Sequence, residues 1–423
     1  MTTPKTAIAE WRSFWFLPIA AALGYATSVI HVYAMGPFIE PLQLDFGWNR
    51  AQVSSGITIA AFISAVFCIP VGMLVDRIGP RRVALIGILL MTGGYALLST
   101  ATGTATNWVI LWVIVAIGTL WVQATVWTSA VASRFAVSRG MALAVTLSGA
   151  SLAATVFPLL ATWLIGAFGW RMAFVGMSGI WLALVFPVLF FCFRGAQDTA
   201  SSRRRNAPDD KDQPRQAATS LSGVSLGEGL RSAALHKLLI AGGLFAFTAL
   251  GALVHFVPIL TDGGADPLSA AGMASLIGIF SIVGRLATGL LLDRFPGHFV
   301  GAAACLLPIV ASALLLFDGT NPISQALAAI ALGLTLGAEV DVIAYLATRH
   351  FGLRNFGALY GALVMALAMG TAFGPLAAGA VFDHFGSYAE FLILAAGLMT
   401  VSAISLLSLG HPPASLDTIP PPH

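Results

Sequence analysis

Gly72-Met73-Leu74-Val75-Asp76-Arg77-Ile78-Gly79-Pro80-Arg81-Arg82, read with the run that follows it, decides how this chain folds. The segment is charged, yet from Val83 to Ser133 there is no Asp, Glu, Lys or Arg at all. A transmembrane helix needs about 20 apolar residues, so the uncharged run supplies two spans and the charged segment is a turn at a membrane edge. There glycine lets helices approach closely, the acid can meet a helix N-terminus, and the arginines reach lipid phosphate. The whole chain repeats the contrast. Of its 423 residues 58% are hydrophobic and 9% charged, where water-soluble chains carry about 25% charged residues. So few polar groups cannot cover a folded surface in water. The apolar supply of roughly 245 residues suffices for about a dozen spans. Disorder, disulfide scaffolds and soluble enzymes are excluded, and an all-α membrane protein remains.

Twelve apolar blocks fall near 15–36, 51–75, 83–101, 107–132, 141–168, 171–193, 236–261, 268–292, 298–317, 322–348, 357–383 and 388–409. They divide the chain into a six-span bundle over 1–193, a cytoplasmic linker over 194–235, a second six-span bundle over 236–410 and a cytoplasmic tail over 411–423. The linker contains SSRRRNAPDDKDQPRQ, too poor in apolar groups to bury; its end, Leu221 to Leu235, is expected to form a short helix on the membrane surface. The first block has no clean small-residue cleavage site and reads as a retained helix. Asp76 and Asp293 lie 217 positions apart, as do Gly72 and Gly289, Pro158 and Pro375, Phe168 and Phe385, and Phe174 and Phe391. A near-constant offset over a hundred residues marks two related halves, the parallel-repeat plan of a secondary transporter. If alternate loops are cytoplasmic, 18 of the 21 Lys and Arg lie on that side, against Arg50 and Arg171 on the other. The positive-inside rule then puts both termini in the cytoplasm and the chain in a plasma (inner) membrane.

The Gly72–Arg82 segment resembles the signature loop of the major facilitator superfamily, and Gly289 to Asp293-Arg294 with Gly297 is a decayed copy of it. The resemblance implies a gating role for Asp76, Arg77, Arg81, Arg82, Asp293 and Arg294 at the cytoplasmic side. Further stretches narrow it: Phe46-Gly47-Trp48-Asn49-Arg50, Arg134-Phe135 through Arg139-Gly140 to Gly149, Gly284-Arg285-Leu286, and Tyr345 through Arg349 and Tyr360-Gly361 to Gly374-Pro375. Together these look like the monocarboxylate and oxalate/formate porter branch. There are departures from that pattern. The lysine that animal monocarboxylate carriers have in the first span has no clear counterpart, His31 and Tyr33 being the nearest polar positions. The eleventh span has no lysine either, and Ser281 stands where the branch has an acid one turn before the arginine of the eighth span.

Arg285, Glu339 and Asp341 lie inside otherwise apolar spans, where each costs about 2.5–3.5 kcal/mol if left facing lipid. Such residues persist when they face an aqueous cavity, a partner or a ligand. Arg285 precedes Asp293 by eight residues, about 12 Å, and Glu339 precedes Arg349 by ten, about 15 Å, so both are near the midplane. Their spans run in the same direction, which brings a salt bridge within reach. Glu339 and Asp341 are about 200° apart around a helix, so one faces substrate or Arg285 and the other packs against a neighbouring helix. A guanidinium stays charged and offers a planar fork matched to a carboxylate; Arg285 is the candidate partner of an organic anion. Glu339 and Asp341 are the candidate proton carriers. His31, Tyr33, Gln123, His255 and Tyr345 are secondary candidates for hydrogen bonding to substrate.

No catalytic nucleophile set, phosphate loop, metal cluster or cofactor motif is visible, and Arg203 to Arg205 sit too near acids to suggest nucleic acid. Cys68, Cys192 and Cys305 lie in apolar runs without paired spacing and read as packing thiols. The expected activity is secondary active transport of a small monocarboxylate-like organic anion with a proton, by alternating access in the lipid bilayer. One anion and one proton cross without net charge. Anion exchange would use the same arginine without a proton carrier, and efflux of an amphipathic compound would be indifferent to Arg285. A non-transporting sensor would need an effector domain for which linker and tail are too small.

Overall fold

The structure, a computed structural model, describes residues 6–135, 137–195, 224–352 and 356–410, with the side chains of 68–77 and 356–358 outside that description. Among the described residues there is no β-strand. The helices are α1 (Ala7–Phe14), α2 (Phe16–Ser28), α3 (Ile30–Tyr33), α4 (Ile39–Phe46), α5 (Arg50–Ile78), α6 (Pro80–Leu97), α7 (Ala105–Trp121), α8 (Ala124–Ala132), α9 (Arg139–Leu147) and α10 (Gly149–Cys192). The second half of the chain adds α11 (Leu226–Arg231), α12 (Ala233–Asp262), α13 (Pro267–Leu292), α14 (Gly297–Asp318), α15 (Pro322–Phe351), α16 (Phe356–Phe385) and α17 (Ala389–Leu407).

Among the described residues ten helical runs are long and apolar enough to cross a membrane. One of them, Arg139–Cys192, holds two spans, because α10 is broken at Gly169, whose φ of 78° and ψ of 163° suit glycine and no residue with a Cβ. The remaining predicted span, the first, is divided into α2 and α3 at Val29 (φ −112°, ψ 5°). All twelve predicted apolar blocks are therefore helical. The linker's short helix is α11, whose Ser225 accepts from the Glu228 N–H while the Glu228 carboxylate accepts from the Ser225 N–H, a capping box that stops the helix fraying. The tract from Ser201 to Gln216 and the tail after Gly410 lie outside the described residues.

The chain separates into two compact units, Met1–Trp48 with Gln52–Lys211, and Asp212–His423 with the tripeptide Asn49–Ala51. In the first unit α7 stops at Trp121 and α8 restarts after Gln123, near the middle of the fourth span. The indole N–H of Trp127 donates to the Val122 carbonyl at 2.7 Å, taking up an acceptor that the break released. In the second unit the equivalent long helices run through. Their starts follow local rules: Pro267 and Pro322 stand at first helical positions, and Asp266 and Asn321 accept from backbone N–H groups of the opening turns. One core cluster of this unit gathers Leu238, Phe245, Cys305, Val342, Leu346 and Leu406, and another gathers Phe256, Ile277, Leu332 and Phe391.

Candidate functional site

α15 carries two acids on two different faces, and each face is defined by what it packs on. Residues four apart on a helix lie above one another. Gly333, Gly337 and Asp341 form one such row, and it faces α13. A Cβ added to Gly337 would stand 2.0 Å from the Ser281 carbonyl oxygen and 2.6 Å from the Arg285 nitrogen, and one on Gly333 would stand 2.5 Å from the Ile277 oxygen. Gly284 reciprocates from α13, where an added Cβ would stand 2.2 Å from the Leu334 carbonyl oxygen. Only bare glycine backbone allows this approach, the small-xxx-small arrangement of packed membrane helices. The close seam delivers Arg285 to the end of the glycine row, where its Nη1 donates to both oxygens of Asp341 at 3.1 and 3.4 Å.

The pair is only partly enclosed: the side chains of Arg285 and Asp341 are 17% and 33% exposed. The next residue, Leu286, is 58% exposed on the apolar exterior, so α13 turns its hydrocarbon outward and its charge toward α15. Among the described residues the hydrogen bonds of Arg285 leave from Nη1 alone, and its buried Nε has no partner. The Nε–Nη2 edge of the fork makes no hydrogen bond among the described residues.

The second face of α15 looks at α14. Thr335 donates to the Ala304 carbonyl at 3.0 Å, Val342 packs on Gly301, and Leu346 packs on Gly297. Glu339 lies between Thr335 and Val342 on this row. It is 2% exposed, neither carboxyl oxygen has a hydrogen-bond partner among the described residues, and it lies within electrostatic range of Cys305. The two acids thus separate as their 200° spacing requires: Asp341 meets Arg285, and Glu339 is buried against a neighbouring helix.

The other predicted residues are dispersed. His31 is buried in the first unit beside Trp112, ring centroids 6.1 Å apart, and Tyr33 is half-buried on the same short helix. Gln123 precedes α8 and donates to the Ser64 carbonyl at 3.4 Å. Tyr345 packs its ring on Gly297 at the far end of α14. Arg81 donates to the Phe190 carbonyl, while Arg82, Asp293 and Arg294 are exposed; the side chains of Asp76 and Arg77 lie outside the described residues.

His255 belongs to a cluster that sequence reasoning did not assemble. Its Nε2 meets the Pro375 carbonyl at 2.9 Å and its Nδ1 meets the Tyr388 hydroxyl at 2.6 Å. A carbonyl only accepts, so Nε2 carries the proton and Nδ1 accepts from the phenol. The phenol oxygen in turn accepts from Arg50 Nη1 at 2.6 Å. Arg50 is bidentate to Asp262 at 2.7 and 2.9 Å and lies 3.6 Å over the Phe382 ring. The Asp383 carboxylate accepts from the backbone N–H groups of Arg50 and Ala51, each at 2.8 Å. Both ring nitrogens of His255 are engaged. The one available signal was that Arg50 and Asp262 are opposite charges beside predicted span ends; nothing in their spacing, 212 positions apart, pairs them.

The family model of the Major Facilitator Superfamily matches residues 21–338. Monocarboxylate transporter 13 of Rattus norvegicus is 27% identical over 409 residues, covering 94% of this chain and 89% of that protein. The fold resembles a point mutant of the nucleoside transporter NupG (TM-score 0.73, 13% identity, 93% of this chain and 99% of that one). It also resembles a bacterial homologue of the human lysosomal transporter Spinster, solved inward-facing and unoccupied (TM-score 0.68, 16% identity, 97% of this chain and 100% of that one).

Proposed function

Because the chain belongs to the major facilitator superfamily, we propose that it carries a small monocarboxylate-type organic anion together with a proton, by alternating access, with Arg285 as the anion's partner. The observation that carries the reading is a guanidinium near the middle of a membrane span whose Nε–Nη2 edge makes no hydrogen bond among the described residues. A planar carboxylate fits that edge with two parallel hydrogen bonds. Similarity over most of its length to a protein named as a monocarboxylate transporter supports the substrate class.

Charge accounts for the proton. In the empty carrier Asp341 neutralises Arg285. A cargo carboxylate on the open edge adds a second negative charge at a depth where uncompensated charge costs several kcal/mol. A proton on Asp341 removes it. Anion and proton then load together, and both the empty and the loaded site are neutral while the carrier changes conformation. Ser281 stands one turn before Arg285 where the branch has an acid, and Asp341 supplies from α15 the carboxylate that α13 lacks. The family position and the apolar helices make the protein a multi-pass membrane protein; the basic loops support an inner-membrane orientation with cytoplasmic termini.

The test uses purified protein in liposomes with an acidic exterior. Pyruvate, L-lactate and formate are offered as labelled solutes, and thermal stabilisation is read with the same panel. Arg285→Ala should abolish carboxylate uptake with expression intact. Arg285→Lys, which keeps charge and loses the fork, should cost tenfold or more, on the order of 1.5–3 kcal/mol for a charge-assisted hydrogen bond. An uncoupler should abolish accumulation; accumulation that persists and needs an anion on the far side would make the protein an exchanger. Stabilisation by neutral or cationic compounds alone, or full uptake by Arg285→Ala, would overturn the substrate class in favour of amphipathic efflux.

A further inference from the structure

The transport cycle just described uses one of the two acids of α15 and leaves the other unexplained. Glu339 is 2% exposed and has no hydrogen-bond partner for either oxygen among the described residues. Buried polar groups are nearly always partnered, and one that is not needs a physical account. The chamber around it is defined by three contacts of α15 with α14: Thr335 on Ala304, Val342 on Gly301, and Leu346 on Gly297. Cys305, which lies within electrostatic range of the acid, is committed elsewhere together with its neighbour Ser402. Ser402 donates its only hydroxyl proton to the Ala241 carbonyl at 3.0 Å, so in its 3.4 Å contact with Cys305 the hydroxyl accepts and the thiol donates. Neither group has a proton left to offer. Among the described residues an ionised Glu339 would meet no hydrogen-bond donor and no ion-pair partner, and a buried carboxylate in that position neutralises itself by taking up a proton. Arg285 does not serve it, because the Gly333–Gly337–Asp341 row that reaches Arg285 lies on the α13 face.

We propose that Glu339 is a second proton-binding site, walled off from the Arg285–Asp341 pair, that keeps its proton whether or not cargo is bound. It rests on the transport reading only in assigning the coupled proton to Asp341. The resident proton keeps the α14–α15 seam free of charge, and two intramembrane acids then give one transported proton.

A hydrophobic carbodiimide tests this on the purified full chain without any cargo. The reagent attacks protonated carboxyls in apolar surroundings. The acid proton passes to a carbodiimide nitrogen and a carboxyl oxygen bonds to the central carbon. The O-acylisourea then rearranges from oxygen to nitrogen, giving an N-acylurea. Nothing leaves, so the modified peptide gains the mass of the whole reagent. The adduct is expected at Glu339, at least tenfold over Asp341, and absent from Glu339→Gln. Infrared spectra should show a protonated-carboxyl band in the wild type and in Asp341→Asn that is missing from Glu339→Gln. Should that variant not fold, Cys305→Ala, which changes the wall and keeps the acid, must shift the band. An adduct at Asp341 in place of Glu339, a wild type without the band, or a band unmoved in Cys305→Ala overturns the proposal. Because no cargo is present, failure here leaves the anion reading standing, and full uptake by Arg285→Ala would leave this site standing.

Discussion

Among the described residues Arg285 is held by one nitrogen. That detail separates a structural ion pair from a recognition group, since a pair built for stability alone would use the matched edge of the fork that a carboxylate prefers. Asp341 occupies the less specific position and leaves the specific one vacant. In the proposed cycle it is a resident counter-charge, and its removal has a defined consequence. Asp341→Asn keeps the shape but leaves Arg285 without a neutralising partner, so carboxylate binding should tighten about tenfold, roughly 1.4 kcal/mol, and lose its dependence on pH. Calorimetry with whichever carboxylate stabilises the wild type would measure this; unchanged affinity together with unchanged pH dependence would count against Asp341 as the coupling acid. That three charged residues fall within apolar spans can be read from the sequence. Which acid meets the arginine cannot, because two residues of offset on a helix give opposite faces and only the neighbouring helices say which face is which.

The working element is the α13–α15 seam. Its glycines set how near the helices come, and that distance brings Arg285 and Asp341 within hydrogen-bond range. A side chain at Gly337 would intrude on backbone atoms of α13 that cannot rotate away. Overpacking of this kind costs about 1–3 kcal/mol or more. Gly337→Val should therefore lower the melting temperature of the purified protein and abolish carboxylate uptake, while Gly272→Ala on α13, where a Cβ meets nothing within 4 Å, should leave both unchanged. Equal behaviour of the two variants would show that the seam does not position the pair. The sequence showed Gly333 and Gly337 only as common residues of an apolar chain, and Gly284 only as the neighbour of Arg285 in a motif. Their role appears once the helices are side by side, because a glycine is informative through the atom that approaches it.

At the scale of the molecule, the proposed orientation across the bilayer rests on the distribution of charge. The two basic residues assigned to the non-cytoplasmic side each have an acid beside them, Arg50 with Asp262 and Arg171 with Asp45 at 3.0 Å, which offsets their positive charge where the positive-inside rule disfavours it. A fluorescent protein fused after His423 should fluoresce in intact cells, and alkaline phosphatase fused at the same place should be inactive. The reverse pattern would invert the orientation of all twelve spans.

Composition and charge spacing by themselves determined the twelve apolar helices, the division into halves and the membrane setting, because hydrophobic transfer is a sum over residues and needs no knowledge of contacts. The resemblance of the Gly72–Arg82 loop placed the chain in its family for a related reason: a short loop keeps its residues adjacent in sequence. Tertiary structure alone decided that Asp341 holds Arg285, that Glu339 sits apart with no hydrogen-bond donor among the described residues, that His255 is tied to Tyr388 and Arg50, and that the first and fourth spans are interrupted. Each of these depends on groups brought together from distant parts of the chain, and electrostatics and hydrogen bonding act over a few ångströms in space whatever the separation in sequence.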